Sequence, residues 1–336
     1  MSQRLTLVLP TRESLPFRQR LQTDTATMAY NRHYAPFDGY DPITGCVAFP
    51  ESDWDDFLTA WVGQEPKRYL AFLRESESGA LVGEVNWHGN GASMGIVIDA
   101  AYRGRGYGAE GLKLLARHAF ADCGLTSLRN DFELTRTAAV AAHRAAGFTL
   151  CREAAGEAFV LTRETWEANE RAALLDALAD RMIRHDGGDP KRIQHFLKVH
   201  DLAARIGRGE GLDASTQFTL EAAAILHDVG IRPAERKYGH CEGKLQEKEG
   251  VVPAHAYLAE CGFDAATSAR AVFLVAHHHT YDGVDGVDWR ILLEADLLVN
   301  LYEDNASKEA AESGLKNVFR TDTGKRLCKI MFGLGE

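Results

Sequence analysis

The 336-residue sequence has no apolar run near the ~18–20 residues that a membrane span needs. Its opening M-S-Q-R-L-T-L-V-L-P lacks the length and cleavage pattern of a signal peptide, so a cytoplasmic protein with no membrane partner is expected. Six cysteines (Cys46, Cys123, Cys151, Cys241, Cys261, Cys328) are scattered without a C-x-x-C pair, which argues against a zinc knuckle or a disulfide framework. Basic charge is also short. With 38 Lys and Arg against 48 Asp and Glu the net charge is −10, which opposes non-specific attraction to nucleic acid. What remains is a globular balance, 45% apolar and 26% charged, in a chain long enough for about two domains.

Histidine marks the division. Four of the 13 histidines precede residue 165 and nine follow it. The first half alternates strand-like and helical stretches, with an apparent hairpin turning at Ser76–Gly79. Beyond Thr165 helix-period apolar residues recur over 172–184, 190–206, 216–226, 254–261, 265–276 and 288–302. Domains of 1–165 and 166–336 are expected.

In the first half a β-branched run, Ile96–Ile98, feeds three alternating glycines, Gly104, Gly106 and Gly108, and an amphipathic helix follows. Glycines let backbone amides approach a ligand, and the amides of a first helical turn favour a phosphate. Arg103, Arg105 and Lys113 add positive charge. No G-K-[ST] occurs here, which excludes the Walker loop, and the spacing is taken not to fit the dinucleotide fingerprint.

R-x-x-G-x-G at Arg103, Gly106 and Gly108 resembles the signature of the GNAT acyltransferases, and T-R-T-A-A-V-A-A-H-R-A-A-G-F-T-L resembles that family's second acetyl-CoA segment. The resemblance covers roughly residues 3–163. It implies a mixed sheet flanked by helices, with acetyl-CoA as cosubstrate and a small-molecule acceptor, an amine. The cosubstrate would be held by Ile98, Arg103, Gly104, Arg105, Gly106, Tyr107, Gly108 and Ala109. Where the family has an Asn and a thiolate-protonating Tyr, this chain has Arg136 and His143. An imidazolium at His143 could donate that proton, and Glu84 is the expected base by analogy. The alternative for this half is a sensor of CoA status.

The second half holds three His-Asp pairs, at 185–186, 200–201 and 227–228. The first precedes Gly187–Gly188 and is expected in a solvated turn. The third closes an apolar helix, where buried ionisable neighbours need a partner such as a divalent cation. Asp296 sits in a leucine stripe with Leu292, Leu293 and Asn300 on one helix face. His195 and His200 are five residues apart, about 140° around a helix, so one site cannot easily take both.

R-I-Q-H-F-L-K-V-H-D, A-I-L-H-D-V-G and L-L-E-A-D resemble the H…HD…D pattern of the HD superfamily of metal-dependent phosphohydrolases, an all-α helical domain. That resemblance implies His195, His227, Asp228 and Asp296 as metal ligands, Asp228 also orienting the attacking water. It further implies His255, His277 and His278 as a second metal or substrate set. Lys237 and Lys244 are expected to neutralise the phosphate of a phosphate ester or nucleotide. Nitrogen with carboxylate ligands suits Mn, Fe, Co, Ni or Zn, and Mg less. A two-iron oxygenase is the alternative.

Overall fold

The computed structural model describes residues 4–32, 37–153 and 156–335. The chain forms two compact units, 1–169 and 170–336. The split falls inside one helix, four residues beyond the expected boundary.

The strands of the first unit are β1 (Leu5–Val8), β2 (Arg68–Glu75), β3 (Leu81–His88), β4 (Ser93–Ile98), β5 (Ser127–Asn130), β6 (Thr149–Glu153) and β7 (Gly156–Thr162). Its helices are α1 (Leu15–Thr23), α2 (Thr25–Met28), α3 (Trp54–Trp61), α4 (Tyr107–Arg117) and α5 (Thr137–Ala145). Alternation along β2 sends Tyr69, Ala71 and Leu73 into a core with α4, and Leu70 and Phe72 into a second core with α1. The helices therefore cover both faces.

The expected single mixed sheet is two antiparallel sheets, β1-β2-β3-β4 and β5-β7-β6. β4 and β5 meet at one end, where the Arg129 amide donates to the Gly91 carbonyl (3.0 Å), and no ladder joins them among the described residues. A Cβ on Gly91 would stand 2.2 Å from the Ser127 carbonyl oxygen, so only glycine permits that approach. Gly106, Gly108 and Gly111 do satisfy the dinucleotide G-x-G-x-x-G spacing. What excludes that fold is the sheet, since all its strand pairs are antiparallel rather than linked by parallel crossovers.

The helix shared by the two units is α6 (Arg163–His185). The second unit continues through α7 (Pro190–Gly209), α8 (Ala214–Leu226), α9 (Ile231–Tyr238), α10 (Gly243–Cys261), α11 (Ala265–Val275), α12 (Val287–Glu303), α13 (Lys308–Asn317) and α14 (Asp322–Phe332). Asp189, Asp213 and Asp264 cap α7, α8 and α11 by accepting amide hydrogens of the first turn. α10 starts earlier than residue 254 and runs through Pro253. Gly230 explains how it docks: a Cβ there would lie 2.1 Å from the Gln246 carbonyl oxygen. Apolar faces of α7, α8, α11 and α12 enclose one core that includes Phe196, Ile225, Leu274 and Leu292. Among the described residues no helix is long and apolar enough to cross a membrane.

Candidate functional site

In the first unit the loop after β4 turns through Gly104 (φ +77°) and Gly106 (φ +82°), which caps α4 from the left-handed region. The first helical bond runs from the Glu110 amide to the Gly106 carbonyl (3.2 Å). The preceding amides of Tyr107, Gly108 and Ala109 thus lack an intrahelical acceptor, the kind of helix end that suits an anion. Ile98 closes β4 just before the loop, beside the strand split. The arginines divide. Arg103 donates to the carbonyls of Ile98 (3.1 Å), Ala26 (3.2 Å) and Thr27 (2.6 Å), so its side chain braces the loop rather than reaching a phosphate. Arg105 is exposed and lies over the Tyr102 ring. Tyr107 is buried, with its hydroxyl bonded to Glu75.

Two expectations are corrected here. His143 is 1% exposed, ringed by Phe132, Phe148 and Phe159. Its Nδ1 donates to the Ala139 carbonyl (2.8 Å) and its Nε2 accepts from the Asn130 amide (3.0 Å), while burial pushes its pKa below the ordinary value. A neutral imidazole with both nitrogens committed is a core residue, not a proton donor to a thiolate. Glu84 is likewise buried: its carboxylate lies 3.2 Å from Arg18 Nε and accepts from Gln22 (3.0 Å). Its charge is taken up in fastening α1 to β3, which removes it as a free base. Arg136, at the start of α5, pairs with Glu133 (2.6 Å).

In the second unit His195 from α7, His227 and Asp228 from the end of α8, and Asp296 from α12 converge. His195 Nε2 lies 3.2 Å from His227 Nε2, 3.4 Å from Asp228 Oδ2 and 3.2 Å from Asp296 Oδ1. His227 Nε2 lies 3.4 Å and 3.6 Å from the same two carboxylate oxygens. Donor atoms about 2.1 Å from one ion stand roughly 3.0–3.4 Å apart, so the spacing fits a shared transition-metal ion.

Orientation supports the fit. His227 Nδ1 donates to the Ala224 carbonyl (2.9 Å), and His195 Nδ1 faces Glu303 (3.3 Å), itself held by Lys198 (2.7 Å). Each outer contact turns Nε2 inward, as ligating histidines require. Burial would drive His227 toward neutrality, but Asp228 and Asp296 outweigh it and hold its pKa well above the ordinary value. Burial would raise Asp296, but His195 and His227 hold it well below the ordinary carboxylate range. The carboxylates thus require positive charge, which imidazole protons supply and a divalent cation can supply in their place.

A second donor group shares Asp228 with His278 and His279. His278 is fully buried. Its Nδ1 donates to the Val275 carbonyl (2.7 Å), and its Nε2 has no hydrogen-bond partner and sits 3.5 Å from Asp228 Oδ1. The remaining expectations fail on position. His255 is exposed, because Ala254 and Leu258 are the residues α10 turns into the core. His277 bonds the Phe273 carbonyl (2.7 Å) and packs on Phe273 and Trp289. Lys237 and Lys244 are paired with Glu249 (2.8 Å) and Glu247 (2.7 Å) and do not line the cleft that holds the cluster. His200 pairs with Glu221 (3.1 Å), away from the cluster. The 185–186 pair is not solvated either: His185 bonds the Tyr257 hydroxyl (2.9 Å), and buried Asp186 accepts from Arg232 (3.1 Å).

Sequence reasoning missed Glu303 and His279. Glu303 lies seven residues after Asp296 on α12, the same face two turns on, and that spacing could have found it.

Residues 4–149 match the family model of the acetyltransferase (GNAT) domain, and this stretch forms an N-terminal domain of that type. No curated protein matches the chain. Among solved structures, the spermidine N-acetyltransferase from Vibrio cholerae in complex with CoA and spermine is similar at 14% identity and a TM-score of 0.40, over 49% of this chain and 99% of that one. The aminoglycoside acetyltransferase AAC(6')-Ib in complex with coenzyme A and kanamycin is similar at 16% identity and a TM-score of 0.35, over 49% and 98%.

Proposed function

We propose that the chain is a two-function enzyme: the first unit transfers an acetyl group from acetyl-CoA to an amine, and the second hydrolyses a small phosphate ester with a divalent transition-metal ion. The acetyl-transfer half rests on the family match over residues 4–149, combined with a glycine loop that opens α4 beside the parting of β4 and β5. In this reading the pyrophosphate meets the amides of Tyr107, Gly108 and Ala109, and the pantetheine arm follows β4 past Ile98. The amine nitrogen attacks the thioester carbonyl to give a tetrahedral adduct, the C–S bond breaks to leave the amide, and the departing thiolate takes up the proton lost by the attacking nitrogen. His143 and Glu84 have no part in that exchange. Release of free CoA thiol upon addition of polyamines or aminoglycosides, the amine classes of the similar structures, is the test. No turnover with any amine would leave the loop a binding module.

One observation carries the hydrolase half: the convergence of four metal-type ligands in one cleft, with each imidazole turned by its outer contact. His195, His227, Asp228 and Asp296 would hold the ion, and His278 and His279 extend the donor set around Asp228. When bound, such an ion supplies Lewis acidity toward a phosphoryl oxygen and toward water. The Asp228 carboxylate then has one oxygen toward the two histidines and the other toward His278, which suits it to orient a nucleophilic water. Metal analysis of the purified protein, run beside a phosphatase substrate panel, tests this reading. A metal-free protein that remains fully active would overturn it.

A further inference from the structure

We infer that Lys191 is the anion-recognition residue of the second unit's cleft, and that the substrate there is a small phosphate monoester whose phosphate it meets. This deepens the phosphohydrolase reading and rests on it. The cleft measures about 350 Å³, in the range of small-molecule sites, and it holds Asp228 and Asp296 with Lys191 and Arg192 among its lining. A phosphate dianion brought beside those carboxylates needs a cation that is not already spoken for.

The neighbouring cations are already paired. Arg192 is bidentate to Glu235 (2.6 and 3.0 Å) and stands 3.3 Å from Asp189. Lys198 is held by Glu303 (2.7 Å), and Arg232 by Asp186 (3.1 Å). Lys191 is exposed, lines the cleft, and has no hydrogen bond or ion pair among the described residues.

Its position carries the same message. Lys191 follows Pro190 in the first turn of α7, where a cation opposes the positive end of the helix, so helix stability does not account for it. It lies four residues before His195, hence on the same face and one turn away. A mobile ammonium at that distance is suited to a phosphate as a point charge.

Equilibrium dialysis with radiolabelled inorganic phosphate against the full-length protein, carrying the metal with which it purifies, tests the inference. Lys191→Gln should weaken phosphate binding at least ~10-fold, Lys191→Arg should restore most of it, and Lys237→Gln should match wild type. Metal content and melting temperature are measured on every variant and should not change. If wild type and Lys191→Gln bind phosphate equally, the role of Lys191 is overturned while the hydrolase reading stands. If wild type itself retains no phosphate while holding metal, the substrate class and the hydrolase reading fall together.

Discussion

Replacing His143 by Phe separates two roles that a histidine at this place could have. As a core residue it is bonded to Asn130 and Ala139 inside an aromatic ring of Phe132, Phe148 and Phe159. Phenylalanine keeps the aromatic packing but leaves the Asn130 amide without its acceptor, which costs about 1–3 kcal/mol. The loss should also depend on pH. Burial lowers the folded-state pKa of His143, so its neutral form is the one that folding favours. Stability from that form is complete above the unfolded value of ~6.5 and drains away as pH falls toward the folded value, by at most ~1.4 kcal/mol per pH unit. Wild type should therefore lose more stability than His143→Phe between pH 7.5 and pH 5, and the gap between them should narrow. Urea unfolding followed by tryptophan fluorescence suits the measurement, since four of the five tryptophans, Trp54, Trp61, Trp87 and Trp166, lie in the first unit and only Trp289 in the second. The acetyl-transfer kcat at pH 7.5 should stay within about twofold. A tenfold fall in kcat with unchanged stability would refute the core reading and restore His143 as the acid.

Gly106→Val should abolish acetyl-CoA binding by calorimetry, because valine resists the φ of +82° there and its Cβ would stand 3.3 Å from Arg4 Nη2 at the turn into α4. Retained affinity would move the cosubstrate elsewhere. Asp228→Asn should lower metal affinity by ~100-fold or more, whereas Asp201→Asn, which loses only an exposed contact to Arg205, should not; equal losses would show that the wrong His-Asp pair had been chosen. Glu303→Gln should weaken metal binding by ~10–100-fold by loosening His195, with the protein still folded by circular dichroism. His278→Ala should reduce the metal bound at saturation and His255→Ala should not, a contrast that reversed results would overturn.

What was legible in the sequence follows from which interactions are local. Glycines at 104, 106 and 108 announce a loop because their backbone requirement needs no distant partner, and His227–Asp228 at the end of an apolar helix announces a buried charge that must be satisfied. Asp296 is readable for the same reason, a carboxylate in a leucine stripe. Burial of His143 was not readable, since its cage comes from Phe132, Phe148 and Phe159 on three separate segments. The lysines failed similarly: Lys237 and Lys244 have carboxylate partners at positions 249 and 247, within a charged loop and helix where many pairings are equally plausible from spacing alone. Pro253 misled in the opposite direction. Its local penalty marks a break, yet α10 continues through it because Gly250 packs against Val275 and Ala254 and Leu258 enter the core. Ala254 and Leu258 set the helix phase that leaves His255 in solvent, and Gln246, earlier on the same helix, bonds His279 (2.9 Å) beside the cluster. His255 enters through the family resemblance alone, and His279 shows itself only through its tertiary contact with Gln246. Local chemistry revealed which residues need a partner, and tertiary packing decided which partner each one has.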